Sequence, residues 1–198
     1  AVEEANRRNS YVMAHCHTDE GANRCVDLGV RSIEHGSLIK ENTAKRIKEN
    51  NVYVVPTLSA GELIADRAKE LGLEDDTLKK VKEVNSYRDK AIEYCSKAGV
   101  KMGLGCDLHG NENLKTQGRE LWLRGQIQKP IEVLRSATTI NAEIIQMKNR
   151  LGVIKENALA DLLIIKGDPL KDLSIFIHSE ENILLLIKDG EIKNSRLN

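Results

Sequence analysis

Short apolar runs alternate with longer amphipathic segments along the first half of the chain. Residues 10–17, "SYVMAHCH", read as a strand, and the helix-like spacing of "EGANRCVDLG" follows, closed by Gly29. Residues 30–35 form the next strand-like run, and a helix with Lys, Arg and Glu on its wet face fits residues 38–50. "NVYVVPTLS" reads as a third strand, rich in β-branched residues and closed at positions 56–59. A long amphipathic helix over about residues 76–98 ends at Gly99 and hands over to a fourth strand, residues 100–107. This rhythm predicts an α/β fold built on a parallel sheet.

Beyond Asp107 a polar loop, "LHGNENLKTQGRE", leads into two helical stretches near residues 120–128 and 130–148. The texture then changes. "LGVIKENALADLLIIKGDPLKD" and "ENILLLIKDGEIKN" are short β-type runs punctuated by Gly-Asp-Pro and Asp-Gly turns, which predicts a small sheet layer after residue 151.

Composition narrows the function more than the fold. The 198 residues are 40% hydrophobic and 30% charged, as expected of a globular chain that buries a core. Lys plus Arg equals Asp plus Glu, 30 each, so no bulk electrostatic term favours nucleic acid or an acidic membrane surface. The longest aliphatic stretch, residues 183–187, is far short of the roughly 20 residues that span a bilayer. The opening "AVEEANRRNS" is polar and carries no signal-peptide pattern. Cys16, Cys25, Cys95 and Cys106 have no CxxC spacing and read as reduced, largely buried thiols, for which a cytoplasmic location is the expectation.

Candidate chemistry sits at the ends of the apolar runs. His15, His35 and Asp107 each close a strand-length segment, and in barrels of alternating strands and helices the chemistry gathers at the carboxyl ends of the strands. Side chains two apart in a strand share a face, so His15 and His17 point together, as do Gly103, Gly105 and Asp107. Imidazole and carboxylate are the ligand set of zinc and its neighbours. Spacing alone leaves two readings open, a metal site or hydrogen-bonded structural residues. Glu20, three residues after His17, either shuttles protons beside a metal or caps the following helix, and the capping reading has the edge for both Glu20 and Asp19. His109 either meets substrate or is a solvated loop residue, and His178 lies far in sequence from the cluster.

These residues carry a family resemblance. "AHCHTDEGANRCVDLGVRSIEHGSLI" resembles the fifth and sixth strand region of the metal-dependent amidohydrolases, in their prolidase-like and imidazolonepropionase-like branch. "GLGCDLHG" resembles their eighth strand, and "LRSATTINAEIIQMKNRLGVIKENALADLLIIKGDPLKDL" their carboxyl-terminal signature. The resemblance covers nearly the whole chain. It implies the second half of a (β/α)8 TIM-type barrel over residues 1–150, plus part of a small β-sandwich over residues 151–198. It also implies a divalent metal centre of one or two ions, usually zinc, that activates water to cleave an amide.

By position, His15 and His35 resemble the metal-binding histidines of strands five and six, and Asp107 the strand-eight aspartate that holds metal and takes the proton from water. His17 stands where dipeptidase relatives often have a tyrosine on the substrate carboxylate, and it doubles as the reserve ligand because other branches place the ligand before an HxxE pattern. Glu20 and His109 join it as candidate substrate contacts. The expected reaction is hydrolysis of Xaa-Pro or other short dipeptides. The alternatives are a deaminase or cyclic-amide hydrolase using Glu20, and an inactive fragment serving as an interaction module. The family's strand-one HxH and strand-four lysine belong upstream of the first residue here. The chain is therefore expected to be partial, and to form a homo-oligomer or associate with an amino-terminal half. A small peptide or amide is the expected ligand, with neither nucleic acid nor membrane as partner.

Overall fold

The computed structural model describes residues 1–110 and 113–197, which fall into two compact units, Ala1–Leu108 and His109–Asn198. The second unit takes in the helices after residue 109 together with the tail sheet.

The first unit opens with helix α1 (Val2–Arg7) and then repeats strand and helix: β1 (Met13–Cys16), α2 (Asp19–Asp27), β2 (Ser32–His35), α3 (Glu41–Glu49), β3 (Tyr53–Val55), α4 (Leu58–Asp66) and α5 (Asp75–Ala98). The strands are parallel in the order β1-β2-β3, with Ala14 opposite Ile33 and Ile33 opposite Val54. Period-two alternation puts Ala14, Ile33 and Val54 on one face and His15, Glu34 and Val55 on the other. Ile33 and Val54 are buried with Ala22, Ala44, Ile47 and Ile92 from the helices, which makes a continuous apolar layer between sheet and helices. Apolar residues of α5 recur at helical spacing, so one stripe of this long helix faces inward and the rest stays charged and wet.

Local signals explain the helix ends. Thr18, in extended conformation, caps α2 by accepting the Gly21 N–H at 3.1 Å. Asp19 and Glu20 lie in the first turn, so the cap is the hydroxyl and not either carboxylate. Gly99 ends α5 at φ 74°, the left-handed conformation that a helix stop favours.

Two expectations need correction. The run over 51–59 is not all strand: β3 stops at Val55, and Leu58 already belongs to α4, because Pro56 cannot donate to a ladder. The run over 100–107 is not a full strand either. It pairs with β3 only at Val54 and Met102, with Gly103 N–H on the Val54 carbonyl at 2.8 Å, and the glycines at 103 and 105 give little side-chain packing to extend the ladder.

The second unit holds α6 (Arg119–Gly125), α7 (Pro130–Arg135), a π-helical turn at Ser136–Ile140, α8 (Asn141–Ile144), β4 (Leu162–Ile165), α9 (Ser179–Asn182), β5 (Ile183–Lys188) and β6 (Glu191–Ser195). The predicted helix over 130–148 is therefore shorter and carries a widened turn. There the Thr138 and Thr139 hydroxyls donate back to the Leu134 and Arg135 carbonyls. The tail is an antiparallel sheet in the order β4-β5-β6, turned at Asp189-Gly190, where both residues have positive φ. The polar loop read over 108–120 lies outside the described residues at positions 111 and 112.

Candidate metal centre

Strand ends build the site. His15 comes from β1, His17 from the turn just after it, and His35 from the last position of β2, where φ is 72°. Asp107, at φ 49°, ends the glycine-rich run that follows α5. Left-handed backbone at two non-glycine residues of one site is a cost that the surrounding packing bears, and such residues concentrate at functional positions.

The three imidazoles form one cluster. Ring centroids are 4.6 Å apart for His15 and His35, 4.7 Å for His17 and His35, and 5.1 Å for His15 and His17. One ligand atom from each lies within 4.8 Å of the others, the spacing needed to share an ion. Two hydroxyls hold two of the rings: Thr57 Oγ1 contacts His35 Nδ1 at 2.6 Å, and Ser37 Oγ contacts His17 Nδ1 at 3.0 Å. Occupied Nδ1 atoms leave Nε2 as the free donor on both rings.

Electrostatics agree with that use. Burial lowers the His35 pKa to about 4, with the neighbouring His17 and His15 adding to the shift and the Asp107 charge opposing it. Burial and His15 likewise lower His17, again against Asp107. Both imidazoles are neutral at pH 7 and have lone pairs to donate. A set of imidazole nitrogens beside a carboxylate suits zinc or a similar divalent ion, so the residues present fit the implied metal.

The structure brings His15, His17, His35 and Asp107 to one cavity of about 320 Å³ within the first unit. Glu20 is not brought there: it is exposed on α2 and pairs with Arg24 at 2.7 Å. Asp19 instead ties α2 to the start of α3, its carboxylate accepting the Lys40 N–H at 2.7 Å. His109 and His178 belong to the second unit and are exposed, the former accepting at its carbonyl from Asn113. The four cysteines are free thiols, but only Cys95 is fully buried. Sequence reading missed Ser37 and Thr57. The available signal was a hydroxyl residue just beyond each of two strand ends, in "HGS" and "VPTLS". It also missed Glu34, which pairs in register with His15, accepts from Ser32 at 2.6 Å and has its pKa raised by burial.

A cluster of imidazoles and a carboxylate at the carboxyl ends of parallel strands gives this α/β protein a donor set suited to a divalent ion. Comparison with known proteins gives the family. Residues 1–193 match the Amidohydrolase family, and the chain belongs to it. A prolidase crystallised with N-methylphosphonate-L-proline is 38% identical, with a TM-score of 0.93 over 98% of this chain and 47% of that one. A Xaa-Pro dipeptidase with methionine bound in its active site is 28% identical, with a TM-score of 0.87 over 98% of this chain and 47% of that one. Ochratoxinase of Aspergillus niger is 29% identical over 176 residues, 88% of this chain and 36% of the relative. The chain thus spans less than half the length of these relatives. These neighbours fit the prolidase-like branch. No helix among the described residues is long and apolar enough to cross a membrane.

Proposed function

We propose that the protein is a metal-dependent hydrolase of C–N bonds in short peptides or amides, with Xaa-Pro dipeptides and dipeptides ending in another apolar residue as substrates. The observation that carries this reading is the grouping of three imidazoles and Asp107 in one cavity. The prolidase, dipeptidase and ochratoxinase neighbours support the bond type.

His15 and His35 are the ligands in this reading, with His17 as a third imidazole or a contact to substrate. A divalent ion such as zinc, when bound, polarises the scissile carbonyl and lowers the pKa of water so that hydroxide is available near pH 7. Asp107 takes the proton from the attacking water and delivers it to the leaving amine, the task of a positioned general base and acid. Thr57 and Ser37 hold the His35 and His17 rings so that the free nitrogens converge. Glu20, exposed and paired with Arg24, supports neither the deaminase nor the cyclic-amide reading.

Coverage of less than half of the solved relatives supports reading residues 1–150 as the second half of a barrel and 151–198 as strands of a flanking sandwich. Function then involves a second copy or an amino-terminal half, and a cytoplasmic setting fits the free thiols. The direct test is metal content per chain, with turnover of a dipeptide panel by the chain reconstituted with an amino-terminal half. About one or more zinc per chain, lost in Asp107→Asn or His35→Ala, is the expected result. A folded chain that takes up no divalent metal would overturn the reading.

A further inference from the structure

The histidines share their cavity with side chains of α4 and α5, where Ala60, Ile64, Val81 and Val84 supply apolar wall. Thr77, Val81, Val84, Arg88 and Ile92 recur along α5 at intervals of three or four, with Lys80 beside Val81, so they form a single stripe on the cavity side of the helix. Polarity changes along that stripe, from buried Ile92 to the exposed ammonium of Lys80.

This wall is braced from behind. Arg88 donates to the Leu58 carbonyl at 2.8 Å and to Glu62 at 3.1 Å, so its charge is matched across the helix pair. Asn85 donates to the Gly61 carbonyl at 2.9 Å, and a Cβ at Gly61 would come within 2.3 Å of the Asn85 amide oxygen. Helices α4 and α5 therefore approach closely and keep the apolar space open between fixed side chains. A cavity near 320 Å³ is at the small end of the roughly 300–1,000 Å³ usual for ligand sites, so it takes a ligand of amino-acid or dipeptide size.

Resting on the hydrolase reading above, we propose that the α4–α5 space is a specificity pocket for a bulky, flexible apolar side chain such as leucine, methionine or phenylalanine, on an N-acyl amino acid whose carboxylate faces Lys80. A proline ring is compact and fills less of this space. Its weaker apolar burial ranks it below the larger side chains, and glycine, with nothing to bury, ranks last. Arg88 is held by Glu62, whereas Lys80 is exposed and, among the described residues, makes no ion pair. It therefore favours a free carboxylate over an amide.

The test is calorimetric titration of the 198-residue chain, with zinc added, by N-acetyl derivatives of Gly, Pro, Leu, Met and Phe and by N-acetyl-leucinamide. Leucine, methionine and phenylalanine derivatives should bind about tenfold or more tighter than the glycine derivative, with proline between. The leucinamide and the Lys80→Gln variant should each lose roughly two- to fivefold for the leucine ligand. Val84→Trp, with its fold checked by circular dichroism, should abolish the preference for large side chains. Equal affinity across the wild-type series overturns the proposal without any variant. Zinc stoichiometry, measured in parallel, separates the two readings: zinc bound with no size preference defeats the pocket alone, and size preference without zinc defeats the hydrolase reading alone.

Discussion

At the scale of single residues, the site depends on contacts that hold imidazoles more than on the imidazoles themselves. Thr57→Val removes the hydroxyl on His35 Nδ1 at nearly constant volume. It should weaken zinc affinity by roughly 10–100-fold, while Thr57→Ser keeps it near wild type, as read by competition with a chromogenic chelator. Asp107→Asn should lower peptide hydrolysis by the reconstituted protein by about 10²–10⁴-fold with circular dichroism unchanged, and full turnover in that variant would exclude Asp107 as the base. His17 and His35 also set a pH dependence. Their folded pKa values lie below the ordinary value of 6.5, that of His35 at about 4, so between those limits the unfolded chain binds protons that the folded chain does not. Metal-free stability is therefore complete above about pH 6.5 and falls as the pH drops toward 4. Thermal melts across that range should show a loss that shrinks in His35→Gln. His15, His35 and Asp107 were legible as strand-end residues, whereas Thr57 and Ser37 were not, because a hydroxyl in a loop has no pattern until a ring lies 2.6 or 3.0 Å away.

Secondary elements show where local chemistry suffices. The end of α5 was readable because a glycine after a long amphipathic run is a helix stop, and Gly99 adopts φ 74°. Gly99→Ala should cost about 1 kcal/mol in chemical denaturation, since an added Cβ disfavours that conformation. Gly118 has a different constraint: a Cβ there would lie 1.9 Å from the Phe176 carbonyl oxygen, so the start of α6 packs directly on backbone of the tail. Gly118→Ala should destabilise the second unit by about 1–3 kcal/mol or more, read as earlier loss of Trp122 fluorescence on denaturation. No sequence pattern announces such an approach. Nor did one announce α4, whose first turn follows Pro56 within a run that reads as strand on propensity alone. The fourth run, 100–107, contributes the bridge of Met102 to Val54 and no named strand, because strand propensity by itself does not make a ladder.

The whole molecule exposes apolar groups that its own residues leave uncovered. Met13, on β1, is 58% exposed, and Ile192, on β6, is 65% exposed. Sheet faces and edges of this kind invite association. Light scattering at micromolar concentration should therefore detect species larger than one chain, and Met13→Lys together with Ile192→Lys should shift the distribution toward monomer. An unaltered distribution would count against association through these surfaces. The strand and helix rhythm through β3, the stops at Gly29 and Gly99, the small antiparallel tail and the strand-end histidines were present in the sequence, because periodicity, capping and turn chemistry act over a few neighbouring residues. Only tertiary structure decided that His17 joins His15 and His35 while Glu20 turns away to Arg24, that Thr57 and Ser37 hold the rings, and that α4 and α5 enclose an apolar cavity beside them. Apart from the local Glu20–Arg24 and His15–His17 pairs, those relations join residues about 20 or more positions apart in the chain, and such distances close only when parallel strands and packed helices fix the ends of their loops in space.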